Sequence, residues 1–429
     1  MKILVIGAGG REHAIVWAIQ KTSSEISKVF CTPGNAGIAQ DARTLPLQAD
    51  DHASLIAFAE SEKIDLTFVG PEAPLVAGIV DAFDQKGLPI VGPTSAAARL
   101  EGSKVFAKDF MRRHRIPTAA YRASQTVDEA KLALRSGEFG EADSRVVIKA
   151  DGLAAGKGVV VATSRADAEV ALEDLMVKHV AGKSAASQVI IEEALVGKEV
   201  SLLLFSDGNN YALMPPARDH KRIGENDTGP NTGGMGSITD DSILDSATLS
   251  RVVQEIVEPT LEGARSEGFA FKGVLFLGLM LTDAGPKLLE YNVRFGDPET
   301  QAILVRLETD LVAIFDSMRR GTIDQRQIKW RSGASACVIL ANRGYPGKYE
   351  TGAVIEGLTA AEAGAVKVFH AGTTISSDGV VRAAGGRVLG VTAAADNLDR
   401  ALDSCYGAIR KISWDGMQFR RDIGRSAVA

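Results

Sequence analysis

The first hundred residues alternate short apolar runs with helix-like stretches, and this alternation constrains the fold more than any other feature of the chain. The runs are Lys2 to Ile6, Lys28 to Cys31, Asp65 to Val69 and Leu88 to Val91. They read as strands of an open parallel sheet. Each ends in a loop rich in glycine or proline: GAGGREH from Gly7, TPGNAG from Thr32, VGPEAP from Val69 and VGPT from Val91. Loops at such strand ends form the ligand crevice of a parallel sheet.

A chain of 429 residues exceeds the roughly 250 to 300 residues that one hydrophobic core serves, so several units are expected. An α/β N-terminal unit is assigned to residues 1–103. A smaller lobe, 121–189, has strands Arg145 to Lys149 and Gly158 to Ala162. A helix and turn from Glu101 to Ala120 lead into it, with Pro117 helping to end the helix. A larger lobe takes 104–120 and 190–326, including a hairpin of Val274 to Leu281 with Leu288 to Val293. An α+β cap takes 327–429, with strands Ala334 to Leu340, Val366 to His370 and Arg387 to Thr392 and a helix Leu398 to Lys411. The polar, glycine-rich stretch Asp219 to Gly236 reads as a long loop and a candidate lid.

A net charge of −6 gives no general attraction to nucleic acid or to anionic lipid, so a small phosphorylated ligand held by local groups suits the chain better. Cys31, Cys337 and Cys405 form no CxxC pair and suggest neither a disulfide framework nor a zinc site. No run approaches the roughly 18 apolar residues that span a bilayer, and a cytoplasmic protein is expected.

Four stretches carry chemistry. In KADGLAAGKG, from Lys149, the glycines Gly152, Gly156 and Gly158 let backbone amides approach phosphate oxygens, while Lys149 and Lys157 supply positive charge. It is not a Walker A loop, since Gly158 stands where Ser or Thr follows the lysine. The run Gln188 to Ile191 ends in Glu192, Glu193, Ala194 and Leu195, with Glu199 beyond. A strand leaving a core offers backbone groups to a flat heterocycle, and Glu199 suits ribose hydroxyls. In LLEYNVRFGDPE, from Leu288, alternation puts Glu290, Asn292 and Arg294 on one strand face at intervals of about 6.6 Å. A carboxylate and an amide there provide hard oxygen ligands for Mg²⁺, and Arg294 can hold a carboxylate or phosphoryl group bidentately. RDHKR from Arg218 and DTGPNTGGMG from Asp227 suit a loop that closes over anions. The six histidines, His220 among them, show no metal or triad spacing.

With GAGGREH, PGNAG, VGPEAPL, LEGSK, IKADGLAAGKGV, DHKR, DTGPNTGGMG, NVRFGDPETQ and FHAGT in this order, the chain resembles the glycinamide ribonucleotide synthetase family of ATP-grasp enzymes over essentially its whole length. The resemblance implies an ATP-grasp core of two α+β lobes between the N-terminal parallel-sheet domain, which binds substrate, and the C-terminal cap. It implies ATP as nucleotide and Mg²⁺ or Mn²⁺ on Glu290 and Asn292. Lys104, Lys149 and the DGLAAGKG loop would contact phosphates, Glu192 through Leu195 would line the adenine pocket, and Glu199 would hold ribose. Gly9, Gly10, Arg11 and Glu12, with Asn35 and Glu72, would shape the phosphoribosylamine end. Asp219, Lys221, Arg294, Gly296 and Asp297 would face the reacting groups, with Lys149, Arg294, Asp219 and Asp297 as the catalytic set. Many relatives carry a further acidic metal ligand on the preceding strand, whereas FLGLML here has Gly278.

The implied substrates are small molecules, glycine and 5-phosphoribosylamine, joined through a glycyl phosphate in purine synthesis. A competing reading, a nicotinamide-dependent oxidoreductase suggested by the opening strand and GxGG, is opposed by two features. Glu12 occupies the third glycine position of GxGxxG, and the second strand ends at Cys31, Thr32 and Pro33 without an acid for ribose.

Overall fold

The computed structural model describes residues 1–154, 158–180, 182, 185–362 and 364–425. Lys2–Gly7 lies between Lys28–Pro33 and Leu66–Val69, with Arg43–Thr44 and Ile90–Val91 on the outer edges, and every pairing is parallel. Along the central strand Leu4 and Ile6 enter one apolar cluster while Ile3 and Val5 enter another. Both faces are therefore covered, which is why the run is apolar without alternation. Strand order reverses at Lys2–Gly7, so its terminal loop and the one after Leu66–Val69 open a crevice between them.

The helix and turn expected from about Glu101 to Ala120 hold the helix Lys104–Arg113, and a separate helix, Ser95–Gly102, ends just before it. Ser103 divides them because its hydroxyl caps Lys104–Arg113, accepting from Phe106 N at 3.1 Å, and donates to Asp151 Oδ1 at 2.9 Å. Tyr121–Ser124, Val189–Glu193, Val146–Ala150 and Val159–Ala162 then form a separate antiparallel sheet. It packs an alanine-rich cluster of its own that includes Ala130, Leu134, Ile148, Leu172 and Ile191.

The largest sheet runs Gly285–Asn292, Lys272–Thr282, Lys198–Asp207, Ala217–Asp219, Gly236–Asp240, Ala334–Asn342, Arg387–Ala395 and Val366–His370. The C-terminal strands thus continue the sheet of the larger lobe through the pairing of Gly236–Asp240 with Ala334–Asn342. Buried polar groups mark that seam: Thr239 and Ser335 share a hydroxyl hydrogen bond of 2.6 Å, and Arg306 Nη1 donates to Thr239 at 2.9 Å.

The Asp219 to Gly236 stretch is more ordered than the loop expected from its composition. Arg222–Gly224 pairs with Thr228–Asn231 as a small hairpin. Arg420, fully buried, donates to Arg222 O at 3.0 Å and to Asp227 at 2.7 Å, and Asn226 N donates to Asp422 at 2.8 Å. Its anchors lie nearly two hundred residues away, out of reach of a local reading.

Candidate active site

The hairpin Lys272–Thr282 with Gly285–Asn292 pairs Gly278 with Glu290 and Phe276 with Asn292. Tyr291 and Val293 point into the apolar cluster, so Glu290, Asn292 and Arg294 take the opposite face, as alternation requires. A Cβ on Gly278 would lie 3.2 Å from Glu290 Cγ, so the residue opposite the carboxylate has little room for a side chain. Burial opposes the charge of Glu290, but Lys221, Lys149, Lys104 and Arg294 hold it below the ordinary carboxylate value. No described residue donates a hydrogen bond to that carboxylate. An ionised, unpartnered carboxylate two residues from an amide oxygen fits a hard divalent cation, which takes few protein ligands. Among the described residues no cluster of three or more His, Cys, Asp or Glu is arranged to hold a metal.

Arg294 is already engaged. Its guanidinium donates to Glu72 at 3.1 Å, Glu101 at 2.9 Å and Asn292 Oδ1 at 3.2 Å, and these acids hold it charged despite burial. Asn292 Oδ1 keeps a second lone pair. Because Glu72 follows the fourth strand of the parallel sheet and Glu101 ends helix Ser95–Gly102, these bonds bring the N-terminal crevice against the metal-type face. Burial raises Glu101, whereas Arg294 and Arg11 together hold Glu72 low against burial.

Lys149 is 6% exposed on strand Val146–Ala150, and its ammonium contacts Glu192 at 3.0 Å and Leu289 O at 3.3 Å. Glu192, 1% exposed, also binds Lys108 at 3.1 Å. The carboxylate expected to line an adenine pocket is therefore clamped between two lysines. Lys104 opens helix Lys104–Arg113 and donates to Gly152 O at 3.3 Å. A Cβ on Gly152 would come 2.9 Å from Ala185 Cα, and one on Gly158 would come 2.6 Å from Ala154 Cβ. Gly156 and Lys157 lie outside the described residues. Glu193 pairs with Lys287 at 3.0 Å, and half-buried Ala194 and Leu195 occupy the connection to strand Lys198–Asp207. Glu199 holds Lys221 at 2.6 Å.

At the N-terminal crevice Glu12 accepts from Gly9 N at 2.6 Å and from Arg11 Nε at 2.6 Å. A Cβ at Gly70 would stand 2.1 Å from its Oε1. The carboxylate thus takes the Gly9 amide, a donor that a dinucleotide pyrophosphate would use, which opposes the oxidoreductase reading. Gly10 faces Gln301, whose amide donates to Asp297 at 2.8 Å. Asn35 spends its amide on backbone: Nδ2 donates to Ala8 O and His370 O, both at 2.8 Å, and Oδ1 accepts from Gly37 N and Ile38 N, both at 2.9 Å.

Asp297 meets Arg387 at 3.2 Å, and although burial works against it, Arg387 and Arg11 hold it ionised. Asp219 and Glu299 behave oppositely. Burial raises both, Asp219 well above the carboxylate range, with the charge of Glu299 adding to it at Asp219 and that of Asp297 at Glu299. Asp219 Oδ1 is buried with no hydrogen-bond partner among the described residues. Gly296 lies against Glu299, its Cβ position 2.4 Å from Oε2. His220 is structural: Nδ1 donates to Gly236 O at 3.3 Å and Nε2 accepts from Gly424 N at 3.1 Å.

Lys108, Glu101, Glu299 and Arg387 were not singled out in sequence. Glu101 and Glu299 sit inside recognised motifs, LEGSK and GDPETQ, but Lys108 and Arg387 carry no local signal.

This sheet arrangement, with a glycine loop, paired lysines and a carboxylate-amide face, defines an ATP-grasp enzyme, a class that uses ATP with a divalent metal. Similar folds include the biotin carboxylase domain of Hydrogenobacter thermophilus 2-oxoglutarate carboxylase, with a TM-score of 0.73, 15% identity and coverage of 97% of this chain and 91% of that one. Residues 1–101, 102–300 and 335–426 match the N, ATP-grasp (A) and C domains of phosphoribosylglycinamide synthetase. The chain belongs to the phosphoribosylglycinamide synthetase family. It is 46% identical to a phosphoribosylamine–glycine ligase of Vibrio cholerae, covering 100% of this chain and 99% of the relative. It is 45% identical to one from Rhizobium meliloti at the same coverage. The crystal structure of the Thermotoga maritima phosphoribosylamine–glycine ligase has a TM-score of 0.85 and 34% identity, covering 98% of this chain and 100% of that one. No described helix is long and apolar enough to cross a membrane.

Proposed function

We propose that the protein ligates glycine to 5-phosphoribosylamine with ATP, giving glycinamide ribonucleotide, ADP and phosphate in purine synthesis. The observation that carries this is Arg294, whose ion pairs to Glu72 and Glu101 join the loops of the parallel sheet to the face bearing Glu290 and Asn292. A sugar-phosphate amine held at one and ATP held at the other would meet at that seam. Full-length relatives named for this reaction support the reading.

A carboxylate is a poor acyl donor, so the γ-phosphoryl group first passes to the glycine carboxylate. The resulting glycyl phosphate is attacked by the sugar amine, the C–N bond forms as the C–OP bond breaks, and phosphate leaves. Lys149 and Lys104 offset phosphate charge, and Arg294 stabilises the group in transit. Glu290 and Asn292 would hold Mg²⁺ or Mn²⁺, which would supply charge neutralisation at the phosphates. The amine loses a proton on acylation, and the departing phosphate can receive it, since burial and the charge of Glu299 favour the protonated form of Asp219. Asp297, fixed by Arg387 and Gln301, orients the loop facing Gly9. No covalent protein nucleophile is needed.

The test measures ADP release with Mg²⁺-ATP while glycine and fresh 5-phosphoribosylamine are given separately and together, with mass detection of product. ADP and glycinamide ribonucleotide are expected only with both. ADP formed with another acid or amine would remove the substrate assignment and leave the ATP-grasp chemistry.

A further inference from the structure

The loop after the second strand of the parallel sheet is held by a lock that no single motif contains. His13, 1% exposed on helix Gly10–Thr22, sits at its centre. Its Nδ1 accepts from the backbone N of His370 at 2.8 Å, so that nitrogen carries no proton. Its Nε2 must then carry the proton and donate it to Asp41 Oδ2 at 3.2 Å. His370 ends strand Val366–His370, and Asp41 ends the short helix Ile38–Asp41 that follows the loop. The imidazole therefore bridges the N-terminal helix, the far side of the loop and the C-terminal sheet.

The loop has little freedom inside this frame. A Cβ on Gly37 would stand 2.3 Å from His13 Cε1 and 2.5 Å from His370 Cγ. Asn35 donates to Ala8 O and His370 O, tying the loop to both the GAGG turn and the same C-terminal strand. The charged and titratable groups around His13 are Asp41, Lys367, Glu362 and His370. Burial outweighs Asp41 and keeps the imidazole below its ordinary pKa, in agreement with the neutral tautomer that the hydrogen bonds require. A protonated ring would present a donor at Nδ1 to the N–H of His370 and open the lock.

We propose that His13, through Asp41 and His370, is a positioning residue for the sugar-phosphate amine: it sets the 34–38 loop against the GAGG turn and makes the C-terminal strand part of that subsite. The inference rests on the reaction proposed above. It separates His13 from the ATP and glycine ends, which lie on Lys149, Glu290 and Arg294 and, among the described residues, share no hydrogen bond or ion pair with this lock.

Steady-state kinetics of His13→Ala, His13→Asn and Asp41→Ala, with each substrate varied in turn, test it. His13→Ala is expected to raise the KM for phosphoribosylamine about tenfold, the effect of one lost buried hydrogen bond, and to leave the KM for ATP and glycine within about twofold. His13→Asn places an amide oxygen near the former Nδ1 and is expected to recover most of the affinity. Equal losses for all three substrates, an unchanged KM for the amine, or no recovery in a folded His13→Asn protein would each overturn the proposal. If His13→Ala does not fold, Asp41→Ala carries the test, with a smaller rise confined to the amine supporting the lock and an unchanged value overturning it. A wild-type enzyme that turns over a different amine, with these variants selective for that amine, would remove the substrate assignment and leave the lock standing.

Discussion

Replacing Glu192 by Gln removes the one carboxylate between two buried lysines, and the structure sets both the size and the pH dependence of the result. Lys108 and Glu192 are each 2% exposed in their side chains, Lys149 is 8% exposed, and the contacts are 3.1 and 3.0 Å. Deleting one partner of such a buried pair costs roughly 3 to 5 kcal/mol, because the remaining charge is left uncompensated. Burial lowers Lys108 from 10.5 to about 8 even with Glu192 present. Between those two values the unfolded chain binds the proton and the folded chain does not, so stability rises with pH through that window. Without Glu192, whose charge raises Lys108, the folded value falls further and the window extends downward. That adds about 1.4 kcal/mol of destabilisation per pH unit of extension at pH 7 and nothing at pH 9, where Lys108 is neutral in both proteins. The penalty is therefore expected to be roughly 3 to 5 kcal/mol at pH 7 and smaller by about 1.4 kcal/mol at pH 9. Amide hydrogen exchange of strands Val146–Ala150 and Val189–Glu193, corrected for intrinsic rates, reads the local opening free energy. Opening energies within about 0.5 kcal/mol of wild type at pH 7, or a penalty that grows toward pH 9, would refute the reasoning.

Three further outcomes are expected. Glu290→Ala leaves secondary structure and melting intact but cuts turnover at saturating Mg²⁺ about a hundredfold or more; unchanged activity in a Mg²⁺ titration contradicts the metal assignment. Gly70→Ala puts a methyl 2.1 Å from Glu12 Oε1, displacing the carboxylate that caps Gly9 N, and lowers stability in urea titration by about 1 to 3 kcal/mol. His220, lowered by burial to about 4, folds neutral, so the unfolded chain takes up its proton below about pH 6.5 and wild type weakens as pH falls. Relative to His220→Gln, wild type should lose about 2 kcal/mol between pH 7 and pH 5, and urea midpoints at the two pH values that move together contradict this.

Much of the site was legible locally because strand geometry is local. The alternation in LLEYNVRF assigns Glu290, Asn292 and Arg294 to one face without any knowledge of partners, and Tyr291 and Val293 do take the other. The apolar runs of the first hundred residues gave the parallel sheet for the same reason, since both faces of each strand had to be covered. Composition misled where long-range anchors order a polar stretch. The Asp219 to Gly236 segment is glycine-rich and polar, yet Arg420 and Asp422 hold its hairpin in place. The helix expected from about Glu101 begins at Lys104, because Ser103 caps it while bonded to Asp151.

The sequence by itself determined which side chains have the chemistry: two lysines and glycines for phosphate, a carboxylate and an amide on one strand face for a metal, and a family of motifs in a fixed order. Only the tertiary structure decided how those groups are held. Glu192 is a ligand for Lys108 and Lys149, Arg294 is gripped by Glu72 and Glu101, Asp297 by Arg387, and His13 by Asp41 and His370. Hydrogen bonds and ion pairs act over about 3 Å of space whatever the distance along the chain, so a pairing such as His13 with His370 leaves no periodicity or spacing for a sequence to display.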